Sequence, residues 1–206
     1  MAINYRQWGL ELAMKAMAVF ALGYFSIRVF HDYIVFKNFT LLLLLLSESI
    51  TLLLVIFAKF TDTRNFSPLP VIATISGTFY FFVISLHGGV KLIPDEAASA
   101  LLCIAIFWQV YSKIYLGRSF GLLPACRTIV DTGPYRLVRH PIYFGYFLGH
   151  ISFLLNNFSL WNVVVLTLMY LFQFLRMHYE EQVLSKNEQY VEYKKRVKYR
   201  FIPFVF

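Results

Sequence analysis

Two short stretches of this chain hold the side chains that could do chemistry. The first reads Gly133-Pro134-Tyr135-Arg136-Leu137-Val138-Arg139-His140-Pro141-Ile142-Tyr143-Phe144-Gly145 and gathers guanidinium, imidazole and phenol groups. Pro141 suits the first position of a helix, where a missing N–H costs nothing. Arg139 and His140 then sit at a helix N-terminus, whose amides and dipole favour negative ligand groups. Tyr143, in the first turn, can point the same way. The second stretch is Arg176-Met177-His178-Tyr179-Glu180-Glu181. Arg176 and Glu180 are four apart and share a helix face, whereas Glu181 is turned about 100° from Glu180. A carboxylate suits a cationic ligand group, and an arginine can orient a carboxylate.

These stretches need elements to position them. Apolar segments fall at about 10–30, 39–60, 69–86, 97–117, 143–155 and 160–176, and 59% of all residues are hydrophobic. A soluble globule of this length could not bury that much apolar surface, whereas a bilayer accepts it in helices of roughly 20 residues. The expected fold is all-α: a polytopic membrane helix bundle of about six hydrophobic segments, with a C-terminal helical hairpin and a cytoplasmic amphipathic tail helix. Asn156 and Asn157 separate the last two segments as a tight turn, and this hairpin need not cross the bilayer fully. Its two ends return to one side, which brings Arg139, His140 and Tyr143 close to Arg176 and Glu180. A polar pocket is expected there, roofed by the loop and floored by lipid-facing helices. From Gly117 to His140, Gly121, Pro124, Gly133 and Pro134 break helical periodicity and form the longest polar loop. After Arg176, Val183, Leu184, Tyr190, Val191 and Val197 recur near helical spacing, so an amphipathic surface helix is expected, ended by Pro203. With no repeat or linker visible, 1–206 reads as a single membrane domain, with four spans over 1–117 and the loop, hairpin and tail over 118–206. Arg6 precedes an apolar run, Leu10 to Val29, longer than a signal-peptide core, so it reads as a retained first span.

The formal charge of +8 has a topological explanation. With six crossings, Arg6, Lys59, Arg64, Lys113, Arg118, Arg127, Arg136, Arg139 and the basic tail fall on one side, and only Arg28, Lys37 and Lys91 on the other. That bias predicts that both termini face the cytoplasm and makes nucleic-acid binding the weaker reading. Cys103 and Cys126 have no metal-ligand spacing, so no metal is expected. Glu48 lies inside the second apolar segment, where a carboxylate is costly and often functional. It is expected to pair with Lys15, to stay protonated, or, beside Ser47 and Ser49, to serve helix packing. His31, His87 and His150 read as structural.

In order, Gly-Pro-Tyr, Arg-His-Pro-x-Tyr-x-Gly, the Glu180-Glu181 pair after a hydrophobic hairpin, then Tyr190, Tyr193 and Pro203 resemble the isoprenylcysteine carboxyl methyltransferases and the related phospholipid methyltransferases. The resemblance covers roughly 115–203, and the first four spans show nothing diagnostic. It implies an S-adenosylmethionine-dependent methyltransferase acting on a membrane-embedded lipid or lipidated substrate, small molecule or protein, with carboxyl O-methylation as the nearest chemistry. It also implies that Arg127, Thr128, Ile129, Val130, Tyr135, His140, Pro141, Tyr143 and Glu180 hold the cofactor, while Arg176 contacts the substrate's reacting end. Arg139 and Glu181 are the expected catalytic residues. Methyl transfer is an in-line displacement, so proximity and alignment carry most of it. A carboxylate acceptor needs no base. A phenol or amine would need one, for which Glu181, His140 and His178 are available.

Three other readings compete. N-methylation of a phospholipid amine fits the same motifs. A membrane reductase using NADPH, of the sterol-reductase kind, resembles the C-terminal architecture but typically shows an Arg-Asp type pair where Glu180-Glu181 stand. A non-enzymatic scaffold or transporter explains the spans but not the clustered charges. The oligomeric state is not readable from the sequence.

Overall fold

In a computed structural model, which describes residues 5–37, 39–58, 67–78, 80–85, 88–121 and 128–205, the chain opens with one unbroken helix, α1 (Tyr5–Phe36). It is followed by α2 (Phe39–Phe57), α3 (Pro68–Thr78) with a 3-10 turn at Tyr80–Phe82, α4 (Asp95–Leu116), α5 (Pro141–Asn156), α6 (Leu160–Leu184) and the short α7 (Glu188–Arg196). Among the described residues there is no strand, only an isolated bridge between Val90 and Phe158. The expected helical bundle is what forms. Three helices, over Trp8–Val35, Asp95–Ser119 and Leu160–Leu184, are long and apolar enough to cross a membrane, while Leu41–Phe57 and Pro68–Gly77 are apolar but shorter.

The apolar segments run back and forth between two ends of the bundle. At one end Lys15 Nζ donates to Ala58 O at the close of α2, and Arg118 Nε reaches Phe57 O. At the other end Val90 and Phe158 exchange backbone hydrogen bonds, Asn157 Oδ1 accepts from Gly89 N at 2.8 Å, and Asn157 and Asn162 both donate to Ser85 O. These bonds satisfy the polar groups of the Asn156-Asn157 turn and fix the hairpin angle. They also explain Gly89, where a Cβ would stand 2.5 Å from the Asn157 carbonyl carbon.

The third and sixth segments depart from the expected boundaries. The 69–86 run yields only eleven helical residues, Pro68–Thr78, and a separate 3-10 turn at Tyr80–Phe82; Gly77 O accepts from Gln173 Nε2 across the interface with α6. The hairpin's first arm has 16 residues, about 24 Å, less than the roughly 30 Å of a bilayer core. Its second arm does not stop at 176 but continues to Leu184, so Arg176, Glu180 and Glu181 ride on the helix itself. The tail also differs: Val183 and Leu184 belong to α6, and α7 is only nine residues long. Its Tyr190 and Tyr193 are buried against Tyr135 rather than laid on a membrane surface.

Lys113 was expected at a membrane boundary and is instead wholly buried. Its ammonium donates to Ser47 Oγ at 2.9 Å and lies over the Tyr146 ring. Glu48 does not take Lys15, which is bonded to Ala58 O; its electrostatic partner is Lys113. Lys59, Arg64, His87, Cys126 and Arg127 lie outside the described residues.

Candidate active site

The polar loop enters α5 through a single 3-10 turn, Gly133–Arg136. Gly133 has φ +57°, and a Cβ there would stand 2.5 Å from the Tyr115 ring, so only glycine fits this turn. The turn buries Tyr135, whose hydroxyl donates to Ser112 O of α4, while Tyr193 donates to Tyr135 O at 2.8 Å. Pro141 takes the first helical position of α5, as its chemistry dictates.

The two amides just before α5, expected to be free at this position, are already taken. The amides of Arg139 and His140 donate to Tyr199 O and Arg200 O, so the extended tail after α7 already occupies them. The Arg139 guanidinium reinforces this strap by donating to Val197 O and Lys198 O. Its Nε donates to Glu181 Oε1 at 2.8 Å, and His140 Nε2 lies 3.3 Å from the same oxygen. Arg200 donates to Glu181 Oε2 at 3.2 Å, with Lys194 Nζ 3.5 Å away. Glu181 is therefore the buried hub that ties loop, hairpin and tail together. His178 is exposed and bonded to Gln182, away from this cluster.

Glu180, one helical step around, faces a cavity of about 450 Å³ that Glu181 does not line. Thr128, Ile129, Val130, Tyr135, Arg139, His140 and Tyr143 line it from the loop side, and Arg176, Glu180, Tyr190 and Tyr193 from α6 and α7. Pro141 and Arg127 are not in that lining, the latter lying outside the described residues. Tyr143 donates to Glu180 Oε2 at 3.3 Å, and the Arg176 guanidinium lies 5.5 Å from the Tyr143 ring centroid. The two separated sequence stretches thus meet at one wall.

The cavity falls within the roughly 300–1,000 Å³ of small-molecule sites. It presents hydroxyl, carboxylate and apolar surface together, the mixture a nucleoside joined to an amino acid needs. Tyr190 adds an independent sign. It is 3% exposed, lines the cavity, and its hydroxyl has no hydrogen-bond partner among the described residues. A buried orphan hydroxyl costs about 1–3 kcal/mol, which a polar ligand at that wall would relieve. Tyr190 reads from the sequence as a helix position and as part of the family-like tail, with no role at the cavity, and Gln173 is passed over inside an apolar run, where an amide among apolar residues was the available signal.

Burial pushes the phenols of Tyr135, Tyr190 and Tyr193 up, with Glu180 adding to the effect on Tyr135 and Glu181 on Tyr190. They remain hydrogen-bonding phenols at neutral pH and cannot serve as bases. A raised phenol value in the folded state contributes stability below the ordinary value of about 10 and loses it as pH rises beyond. Thermal unfolding followed from about pH 8 to about pH 11 should show the midpoint falling at the alkaline end. The fall should be shallower in the Tyr190→Phe variant.

With this geometry in hand, comparison with known proteins gives one likeness. Residues 96–190 match the phospholipid methyltransferase family model. That family includes the isoprenylcysteine carboxyl methyltransferases. The matched segment begins in α4 and ends in α7, so it contains the 3-10 turn, the hairpin, and Thr128, Tyr135, His140, Tyr143, Arg176, Glu180 and Tyr190 of the cavity wall, while Glu48 and other lining residues of the first three helices lie outside it. No curated protein gives a significant match. The match covers a little under half of the chain and is a likeness of that segment to phospholipid methyltransferases.

Proposed function

We propose that the chain is an S-adenosylmethionine-dependent methyltransferase that methylates a carboxyl group on a membrane-dissolved lipid or lipidated acceptor. The observation that supports this most is the single cavity shared by the 128–143 stretch and the α6 face carrying Arg176 and Glu180. When bound, S-adenosylmethionine supplies an electrophilic methyl group on a sulfonium. Thr128, Ile129, Val130, Tyr135, His140 and Tyr143 would hold it on the loop side, with Tyr190 offering its unused hydroxyl. Glu180 would take its ammonium or ribose hydroxyls. Arg176, next to the Tyr143 ring, would orient the acceptor carboxylate, which attacks without a base. Arg139 and Glu181 then act by position: they clamp the tail over the loop and keep Tyr135 and Tyr193 at the cavity wall. The face that carries the strap is the end with most basic residues, which supports a cytoplasmic location for it and for both termini.

The test is incubation of purified protein with methyl-labelled S-adenosylmethionine and membrane lipid extract. Label should enter the organic phase and leave as methanol on mild alkali, as a methyl ester does. Label stable to alkali would overturn the carboxyl reading in favour of N-methylation. No label in lipid would overturn the enzyme reading.

A further inference from the structure

The strap after α7 does not stop at the two amides it occupies. Beyond Arg200 it runs along the hairpin, and the Phe201 ring packs on Phe147 of α5 and Phe174 of α6, with centroids 5.6 and 5.7 Å away. Phe147 is seven residues past His140 and Phe174 seven before Glu181, so both helices place Phe201 about 10 Å inward from the clamp. Phe174 and its neighbours Leu171 and Leu175 are exposed on α6, a helix long and apolar enough to cross a membrane. The strap therefore ends against the face that this span turns toward lipid.

This end has a defined shape and a defined charge. Val205 N donates to Ile202 O at 3.2 Å, closing a turn in which Phe204 takes a φ of +63°, a conformation few non-glycine residues adopt. The turn presents Phe204 and Val205, 81% and 75% exposed, with only the Tyr199 ring against Phe204 among the ring contacts of the described residues. Before them, Lys194 to Arg200 holds five basic residues and no acidic one. Four have carboxylate neighbours: Lys194 and Arg200 meet Glu181, Lys195 meets Glu192, and Arg196 meets Asp131. Lys198 has none among the described residues, and neither has Arg136, exposed on the 3-10 turn beside the strap. Lys198 belongs to the clamp as well, since its carbonyl accepts from the Arg139 guanidinium while its side chain is exposed. An apolar tip beside uncommitted cations matches the headgroup boundary of a bilayer that contains anionic lipid.

We propose that residues 197–205 are a docking surface for an anionic membrane, with Phe204 and Val205 entering the acyl boundary and Lys198 and Arg136 meeting lipid phosphates. Tyr199 O and Arg200 O hold the amides of Arg139 and His140, and the Arg200 side chain reaches Glu181. Lipid contact at the strap therefore keeps the clamp closed and the cavity wall at Tyr135 and Tyr193 ordered. The surface acts the same way whatever ligand the cavity takes, so it does not depend on the methyltransferase reading. It also lies at and beyond the end of the matched segment, at 190, apart from Arg136.

The test places the full-length protein in nanodiscs of phosphatidylcholine alone, or of phosphatidylcholine with about one-third phosphatidylglycerol. Hydrogen exchange of the Arg139 and His140 amides, read by mass spectrometry, reports how often the strap opens. Phosphatidylglycerol should slow that exchange by about fivefold or more, the factor equivalent to about 1 kcal/mol for one cation at an anionic surface. High salt should remove the difference. Arg136→Gln combined with Lys198→Gln should lose most of the phosphatidylglycerol effect and exchange like the unaltered protein in phosphatidylcholine. Phe204→Ser should exchange faster in both discs. Equal exchange by the unaltered protein in the two discs overturns the proposal with no variant needed. Free inorganic phosphate that slows exchange in phosphatidylcholine discs as much as phosphatidylglycerol does overturns it in favour of a soluble anion. An undiminished lipid effect in the doubly substituted protein overturns it too, because the charge would then act elsewhere; amides in the middle of α4 show in the same spectra that each variant is folded.

Discussion

Replacing Glu181 with alanine should destabilise the protein by about 3–5 kcal/mol, the penalty for removing one partner of a buried ion pair. The reason is what remains. Arg139 is 9% exposed and Glu181 3%, so the guanidinium cannot turn to water when its carboxylate is gone. His140 and Arg200 lose the same partner at once. For a chain of this size that corresponds to a fall of roughly 6–20 °C in midpoint, readable by thermal unfolding of detergent-purified protein. Because the clamp holds the tail against the loop, S-adenosylhomocysteine affinity should fall along with stability. Glu181→Gln keeps the shape and one acceptor oxygen and should lose less of both. If Glu181→Ala lost methyl transfer yet kept the wild-type midpoint, the clamp reading would give way to direct participation in the chemistry.

Glu180→Gln should behave in the opposite manner. Glu180 lines the cavity, is partly exposed, and has one described hydrogen bond, from Tyr143 at 3.3 Å. The amide can still accept that bond, so the midpoint should move little. What it cannot do is pair with a ligand cation. Loss of one charge-assisted hydrogen bond, about 1.5–3 kcal/mol, weakens binding roughly 10–150-fold. Calorimetric titration with S-adenosylhomocysteine reads this directly. A midpoint fall as large as that of Glu181→Ala would show that the two neighbouring carboxylates share one structural job.

Much of this architecture could be read before any coordinates, and the reasons are local. Pro141 marks a helix start through its own ring. The four-residue spacing of Arg176 and Glu180 fixes a shared face once that segment is helical. The turn at Asn156-Asn157 returns the chain to the same side. What escaped was long-range pairing between residues whose types are ambiguous alone. Lys113 reads as a boundary cation until the Ser47 hydroxyl of another helix is seen beside it. The amides of Arg139 and His140 read as free until the tail carbonyls of Tyr199 and Arg200 are found on them. Gln173 hides in an apolar run because one amide barely changes hydropathy. Glu48 was visible as an anomaly, but its partner, 65 positions away, was not.

The most direct measurement of the central claim is a calorimetric titration of the unaltered protein in detergent with S-adenosylhomocysteine, with NADPH titrated in parallel. The account predicts saturable, one-site binding of S-adenosylhomocysteine, and none of NADPH. No heat at millimolar S-adenosylhomocysteine together with saturable NADPH binding would contradict it, and would make the cavity beside Glu180 the site of a hydride donor.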